Sequence, residues 1–243
     1  MFNKYVEFFE SYMKKYDKAS WGIDLKYIHT FRVITKCEEL ANSLNLSKED
    51  VELSKTIGLF HDIGRFYQYK KYNKFSDHDT INHADMGVRV LKDNDVLDDD
   101  TNKELILKAI SNHNKYKLED NLSKREELFC KLIRDADKLD IWELAVEDKI
   151  NPFKYQGHYS SEVINDLLEG RSIELTKYDE KIDKSLGMLG MFFDINFPYT
   201  KEYIIKHNIL DLLVDKYIES NKVEKDNLLK IKDVIKERLC IQC

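Results

Sequence analysis

The sequence predicts an all-α protein, and three observations point there. Two prolines and eight glycines in 243 residues are too few for the tight turns of a sandwich or a barrel. Apolar residues return at three- and four-residue steps through most of the chain, the period of helices with one buried face. No stretch rich in proline, glycine or serine breaks that pattern, so no linker is expected and residues 1–243 read as a single helical domain. A chain of this length buries roughly 70% of its unfolded surface, enough for an independent core.

The N-terminal run MFNKYVEFFESYMKKYDK mixes charged and apolar residues as an amphipathic first helix does. It has no uninterrupted apolar core, so neither a signal peptide nor a membrane span is expected. Leu25, His29, Val33, Cys37, Leu40 and Leu44 share a stripe and predict a helix over 24–44 with His29 facing inward. Ser47, followed by Lys48-Glu49-Asp50, offers an N-cap with acids in the first turn. Val51, Leu53, Ile57 and Phe60 carry that helix to His61 and Asp62. Gly58 would let another helix approach closely, and Gly64 is expected to end the helix or to admit backbone near a ligand.

Residues 67–78, YQYKKYNKFSDH, have no clear period and read as a polar loop. A helix is expected from about Asp79, carrying His83, Met86, Gly87 and Val90, and the acidic tract 93–100 reads as a solvated connection. Leu105, Ile106, Ala109 and Ile110 form the next face, which ends at His113. Ser123-Lys124-Arg125-Glu126 has the pattern of a capping box, and it opens a helix with Phe129, Cys130, Ile133, Asp137 and Ile141 on adjacent turns. Val163 to Leu168, Leu186 to Phe193, Tyr203 to Tyr217 and Leu228 to Leu239 predict further helices without an internal repeat.

Net charge is −6 with acids and bases interleaved, so no extended nucleic-acid surface is expected, although a local cationic pocket is compatible with it. Cys37, Cys130, Cys240 and Cys243 are too scattered for a disulfide framework, and a reducing cytoplasm is the expected setting. Cys240 and Cys243 have the spacing of half a zinc site but lack a second pair.

The inward-facing ionisable residues are His29, His61, Asp62, His83, His113 and Asp137, four of the seven histidines among them. Buried carboxylates and imidazoles need partners, and helix bundles build metal sites from side chains projecting off facing helices. Nitrogen and oxygen ligands without thiolate suit manganese, iron, magnesium, cobalt or zinc. Asp62 is the candidate to bridge two ions.

In the contexts HDIGRF, NHADMG, SNHNK and RDADKLD, this ordered set resembles the HD-domain metal-dependent phosphohydrolase superfamily over about residues 24–145. The remainder, about 155–243, is then a C-terminal helical extension. The resemblance implies an all-α core in which His29, His61, Asp62 and Asp137 hold one divalent ion, while Asp62, His83 and His113 hold a second. It also implies that Arg65, three places after Asp62, meets substrate phosphate; arginine keeps the charge of the lysine many members carry there and adds a bidentate fork. The expected function is hydrolysis of a phosphate mono- or diester, of a small nucleotide or a phosphorylated metabolite, by a metal-activated water. A mixed-valent di-iron oxygenase and a non-catalytic, metal-stabilised nucleotide-binding regulator are the alternatives. One ion or two, and the oligomeric state, stay open at this stage.

Each residue also has a plainer reading. His29 could be a hydrogen-bonded core histidine, and Asp137 could pair with Arg134 or Lys138. His83 and His113 could bind substrate around a single ion. Asp140 is either an outer partner of a ligating histidine or a cap on an exposed lysine. His78 reads as loop, His158 and His207 have no evident partner, and Lys70, Lys71 and Lys115 either line an anion pocket or stay solvated.

Overall fold

The computed structural model describes residues 2–240, which form helices joined by loops, with no strand among them. Two compact units divide the chain, Met1–Asp140 and Ile141–Cys243. No helix among the described residues is long and apolar enough to cross a membrane. Cys240 is exposed, and Cys243, the other half of the terminal pair, lies outside the described residues.

The first unit contains α1 (Phe2–Met13), α2 (Trp21–Ser43), α3 (Lys48–Phe60), α4 (Ile63–Tyr72), α5 (His83–Asp93), α6 (Lys103–Asn112) and most of α7 (Lys124–Val146). α1 buries Tyr5, Phe9, Tyr12 and Met13. Phe9 stands edge-on to Phe66 at 5.7 Å and Tyr5 edge-on to Phe60 at 5.6 Å, so an aromatic seam joins α1 to α3 and α4. α2 lies against α3 where Gly58 leaves room: a Cβ there would stand 3.0 Å from Cys37 Sγ. The Ser47 hydroxyl caps α3 by accepting from the Asp50 N–H at 3.1 Å. The capping box at α7 is reciprocal, Ser123 N–H donating to Glu126 Oε2 at 2.7 Å and Glu126 N–H to Ser123 Oγ at 3.3 Å.

Three local expectations are corrected. Gly64 does not end a helix; it lies inside α4, where a Cβ would stand 2.1 Å from His83 O and 2.6 Å from Gly87 N. The missing side chain is what lets α5 cross α4. Residues 67–72 are helix rather than loop, because Phe66 and Gln68 are buried and α4 continues until Asn73 closes it at φ +50°. α5 starts at His83 rather than near Asp79, because the Asn82 side chain accepts from the N–H groups of Ala84 and Asp85 at 2.9 and 3.2 Å.

The second unit holds the end of α7, α8 (Ser161–Leu168), α9 (Lys181–Ser185), α10 (Gly187–Gly190), α11 (Pro198–Lys206), α12 (Ile209–Ser220) and α13 (Lys225–Cys240). Its core includes Trp142 stacked on Phe192 at 4.2 Å, Phe153 edge-on to Tyr217 at 4.7 Å, and the buried stripe Leu228, Ile231, Ile235 and Leu239 of α13. The helix expected over Tyr203 to Tyr217 is two, broken at His207 and Asn208, the latter at φ +54°. Leu186 to Phe193 forms the short α10 and a 3-10 turn over Met191–Asp194. His158 does have a partner, Glu224, at 2.9 Å, and His207 stacks on Tyr203 at 4.2 Å.

Candidate metal centre

α3 ends at Phe60 and α4 begins at Ile63. His61 and Asp62 occupy the break. Asp62 holds the N-cap position of α4 with φ −107° and ψ 12°, yet its side chain makes no capping hydrogen bond. Its carboxylate is therefore left to face the interior, 2% exposed. His29 comes from the middle of α2, His83 opens α5, His113 follows α6 and Asp137 stands on α7. All four histidines are buried.

Each histidine is anchored through Nδ1. His61 Nδ1 donates to Gly58 O at 2.8 Å and His113 Nδ1 to Ile110 O at 2.6 Å. His29 Nδ1 lies 2.6 Å from Asp140 Oδ2, and His83 Nδ1 lies 2.7 Å from Asp77 Oδ2. Carbonyls and carboxylates only accept, so the proton of a neutral ring sits on Nδ1 and the Nε2 lone pair is free. Those four Nε2 atoms converge. His29 and His61 Nε2 are 3.3 Å apart, and His83 and His113 Nε2 are 2.9 Å apart.

Asp62 stands between the two pairs. Its Oδ2 is 3.5 Å from His29 Nε2 and 3.6 Å from His61 Nε2, while its Oδ1 is 3.1 Å from His83 Nε2 and 3.6 Å from His113 Nε2. Asp137 Oδ1 lies 3.1 Å from His29 Nε2 and 3.7 Å from His61 Nε2. Asp137 is half-buried, but its Oδ1 atom is enclosed and makes no well-formed hydrogen bond among the described residues. Two groups thus have ligand atoms within 4.8 Å of one another: His29, His61 and Asp137, and Asp62, His83 and His113. Facing lone pairs and an orphaned carboxylate oxygen repel unless positive charge lies among them, so this donor set fits divalent cations.

The protonation pattern carries the same message. Burial opposes charge on Asp62, but Lys26, His61, His113 and His29 hold its carboxyl well below the usual range. Burial likewise opposes charge on Asp137, and His29 and His61 outweigh it. Burial and Lys26 disfavour charge on His29, yet Asp137, Asp140 and Asp62 raise it to about 10. Burial and Arg65 push His83 down despite Asp62 and Asp77. These anions hold a proton where a cation fits.

Arg65 is beside the centre, its Nε 3.6 Å from Asp62 Oδ1, buried and without a hydrogen-bond partner among the described residues. Its Nη1 is engaged elsewhere, donating to Gln68 Oε1 and Phe75 O at 2.8 Å and to Asp77 Oδ1 at 3.0 Å. Asp140 is the outer partner of His29 and also accepts from Arg32. Arg134 donates to the carbonyls of Asn112, His113 and Lys115, tying down the segment that carries His113. His78 is exposed. Lys70 donates to Lys15 O, Lys115 pairs with Glu119 and Lys71 lies against Tyr67 and Tyr72, none at the centre.

Sequence reasoning missed two residues. Lys26 Nζ sits 2.5 Å from Asp62 Oδ2, and its place one helical turn before His29 was the available signal. Asp77, inside a run that reads as polar loop, takes hydrogen bonds from Arg65, Gln68 and Asn114 besides orienting His83. Only the fold brings it there.

Neither a curated protein nor a solved structure matches the chain. The HD domain family model matches residues 27–142, the stretch that contains all six converging residues. Residues 27–142, to which histidines and aspartates converge from separate helices, are thus similar to an HD domain, whose superfamily is made up mostly of metal-dependent phosphohydrolases.

Proposed function

We propose that this protein is a metal-dependent phosphohydrolase that cleaves a phosphate mono- or diester of a small nucleotide or phosphorylated metabolite. The observation that supports this reading most is the shared carboxylate: Asp62 presents Oδ2 to one histidine pair and Oδ1 to the other. His29, His61, Asp137 and Asp62 Oδ2 would hold one divalent ion, and His83, His113 and Asp62 Oδ1 a second. Such ions supply a water of lowered pKa and draw electron density from the phosphoryl oxygens.

The chain's own residues do the rest. Gly58 O, Ile110 O, Asp140 and Asp77 fix the four imidazole rings by their Nδ1 atoms, so the donor set is in place before a ligand arrives. Lys26 and Arg65 are cations flanking Asp62, and in this reading they would neutralise non-bridging phosphate oxygens. The Arg65 Nη1 contacts leave Nε on the side of the centre.

The test is a panel of nucleotides, sugar phosphates and a chromogenic phosphodiester, assayed with manganese and with chelator. Metal-dependent release of phosphate, lost at least 1,000-fold in Asp62→Ala as expected when a metal bridge is removed, supports the reading. Full activity in that variant overturns it, as does oxygen consumption by an iron-loaded protein inert toward every ester.

A further inference from the structure

Beside Asp62, on the side of Lys26 and Arg65, the first unit carries a cluster of aromatic rings that the metal centre does not use. Phe75 lies 5.8 Å from Lys26 Nζ and 5.9 Å from the Arg65 guanidinium carbon, measured to the ring centroid. Its carbonyl accepts from Arg65 Nη1 at 2.8 Å, which holds the Phe75 backbone beside Arg65. Tyr69 stacks on Phe75 at 4.7 Å and 27°. Trp21, at the first turn of α2, lies 6.4 Å from each of those rings.

The cluster is built into the fold. The Tyr69 ring lies across Gly22, where a Cβ would stand 2.3 Å from Tyr69 Cζ, so residue 22 tolerates no side chain while Tyr69 keeps its place. Yet Trp21 is 58% exposed, while Trp142, the other tryptophan, is fully buried against Phe192. A packed aromatic core would have covered the indole. An open indole backed by two rings stacked on each other, with two cations next in line toward the metal ligands, suits a flat ring carried on a phosphate.

We propose that Trp21, backed by Phe75 and Tyr69, is a ring-binding subsite that selects phosphate esters bearing a planar aromatic or heteroaromatic ring, as a nucleoside monophosphate does, over ring-free ones. The proposal rests on the phosphohydrolase reading for its reaction but not for its binding. Lys26 and Arg65 hold the phosphate end, and the indole stacks on the ring.

Two measurements test it. Trp21 is the solvent-open one of two tryptophans, so its part of the tryptophan emission is what the full chain shows beyond Trp21→Phe, which keeps Trp142 alone. A nucleoside monophosphate added to the full chain is expected to quench that emission, while inorganic phosphate and ribose 5-phosphate leave it unchanged. With metal, Trp21→Ala is expected to lower the ratio of kcat/KM for the nucleoside monophosphate over ribose 5-phosphate by roughly 10- to 100-fold, the loss of one stacked ring, chiefly through KM. Trp21→Phe restores most of that ratio. An unchanged ratio in Trp21→Ala, or equal quenching by phosphate alone, overturns the subsite and leaves the hydrolase standing. Quenching by the nucleotide without turnover of any ester supports the subsite and overturns the hydrolase.

Discussion

Asp140 and Asp77 do for His29 and His83 what backbone carbonyls do for His61 and His113: they hold Nδ1 and turn Nε2 inward. A carboxylate also raises the basicity of the ring it holds, so these two acids tune the donors as well as aim them. Asp140→Asn and Asp77→Asn are each expected to weaken metal affinity roughly 10- to 100-fold while the helical circular dichroism is retained. Isothermal titration with manganese measures this; wild-type affinity in both variants would show that the acids serve packing alone. The six converging residues were legible in the sequence because each sits on, or at the end of, an apolar helical stripe. Asp140 was half legible, one turn beyond Asp137. Asp77 was not, since nothing in a run of polar residues says which carboxylate folds back onto an imidazole. Lys26 was signalled only by its place one turn before His29, and its ion pair with Asp62 exists only once α2 lies beside the α3–α4 break.

The element that places His83 is α5, and its position depends on two glycines. Gly64 of α4 faces His83 O, and Gly87 of α5 faces Ile63 and Gly64 N, at 3.3 and 3.5 Å from where its Cβ would be. Gly64→Ala puts a methyl 2.1 Å from a backbone oxygen, so α4 and α5 must separate rather than a side chain rotate. The expected cost is about 3 kcal/mol, the upper end for overpacking, or roughly 10 °C in Tm. Calorimetry reads it, and an unchanged Tm would mean the crossing is looser than described. Helix caps were legible too: the capping box at Ser123 and the N-cap at Ser47 form as their sequences predict. The Gly64 crossing was not, because a glycine after a histidine-aspartate pair signals close approach without naming what approaches. Helix ends were misjudged where the stop was a single residue at positive φ, as at Asn73 and Asn208.

At the scale of the molecule, the all-α class followed from periodicity and from the scarcity of proline and glycine. Periodicity could not show the division of the chain into units at Asp140, which falls inside the uninterrupted helix α7. The central claim concerns the first unit alone: separate helices deliver two histidine pairs to the two oxygens of one aspartate. Anomalous diffraction at the manganese edge, from crystals grown with that ion, tests it most directly. The account predicts two peaks about 3.5–4 Å apart, one on each side of the Asp62 carboxylate. A single peak that Asp62 does not touch, or none at all, would contradict it.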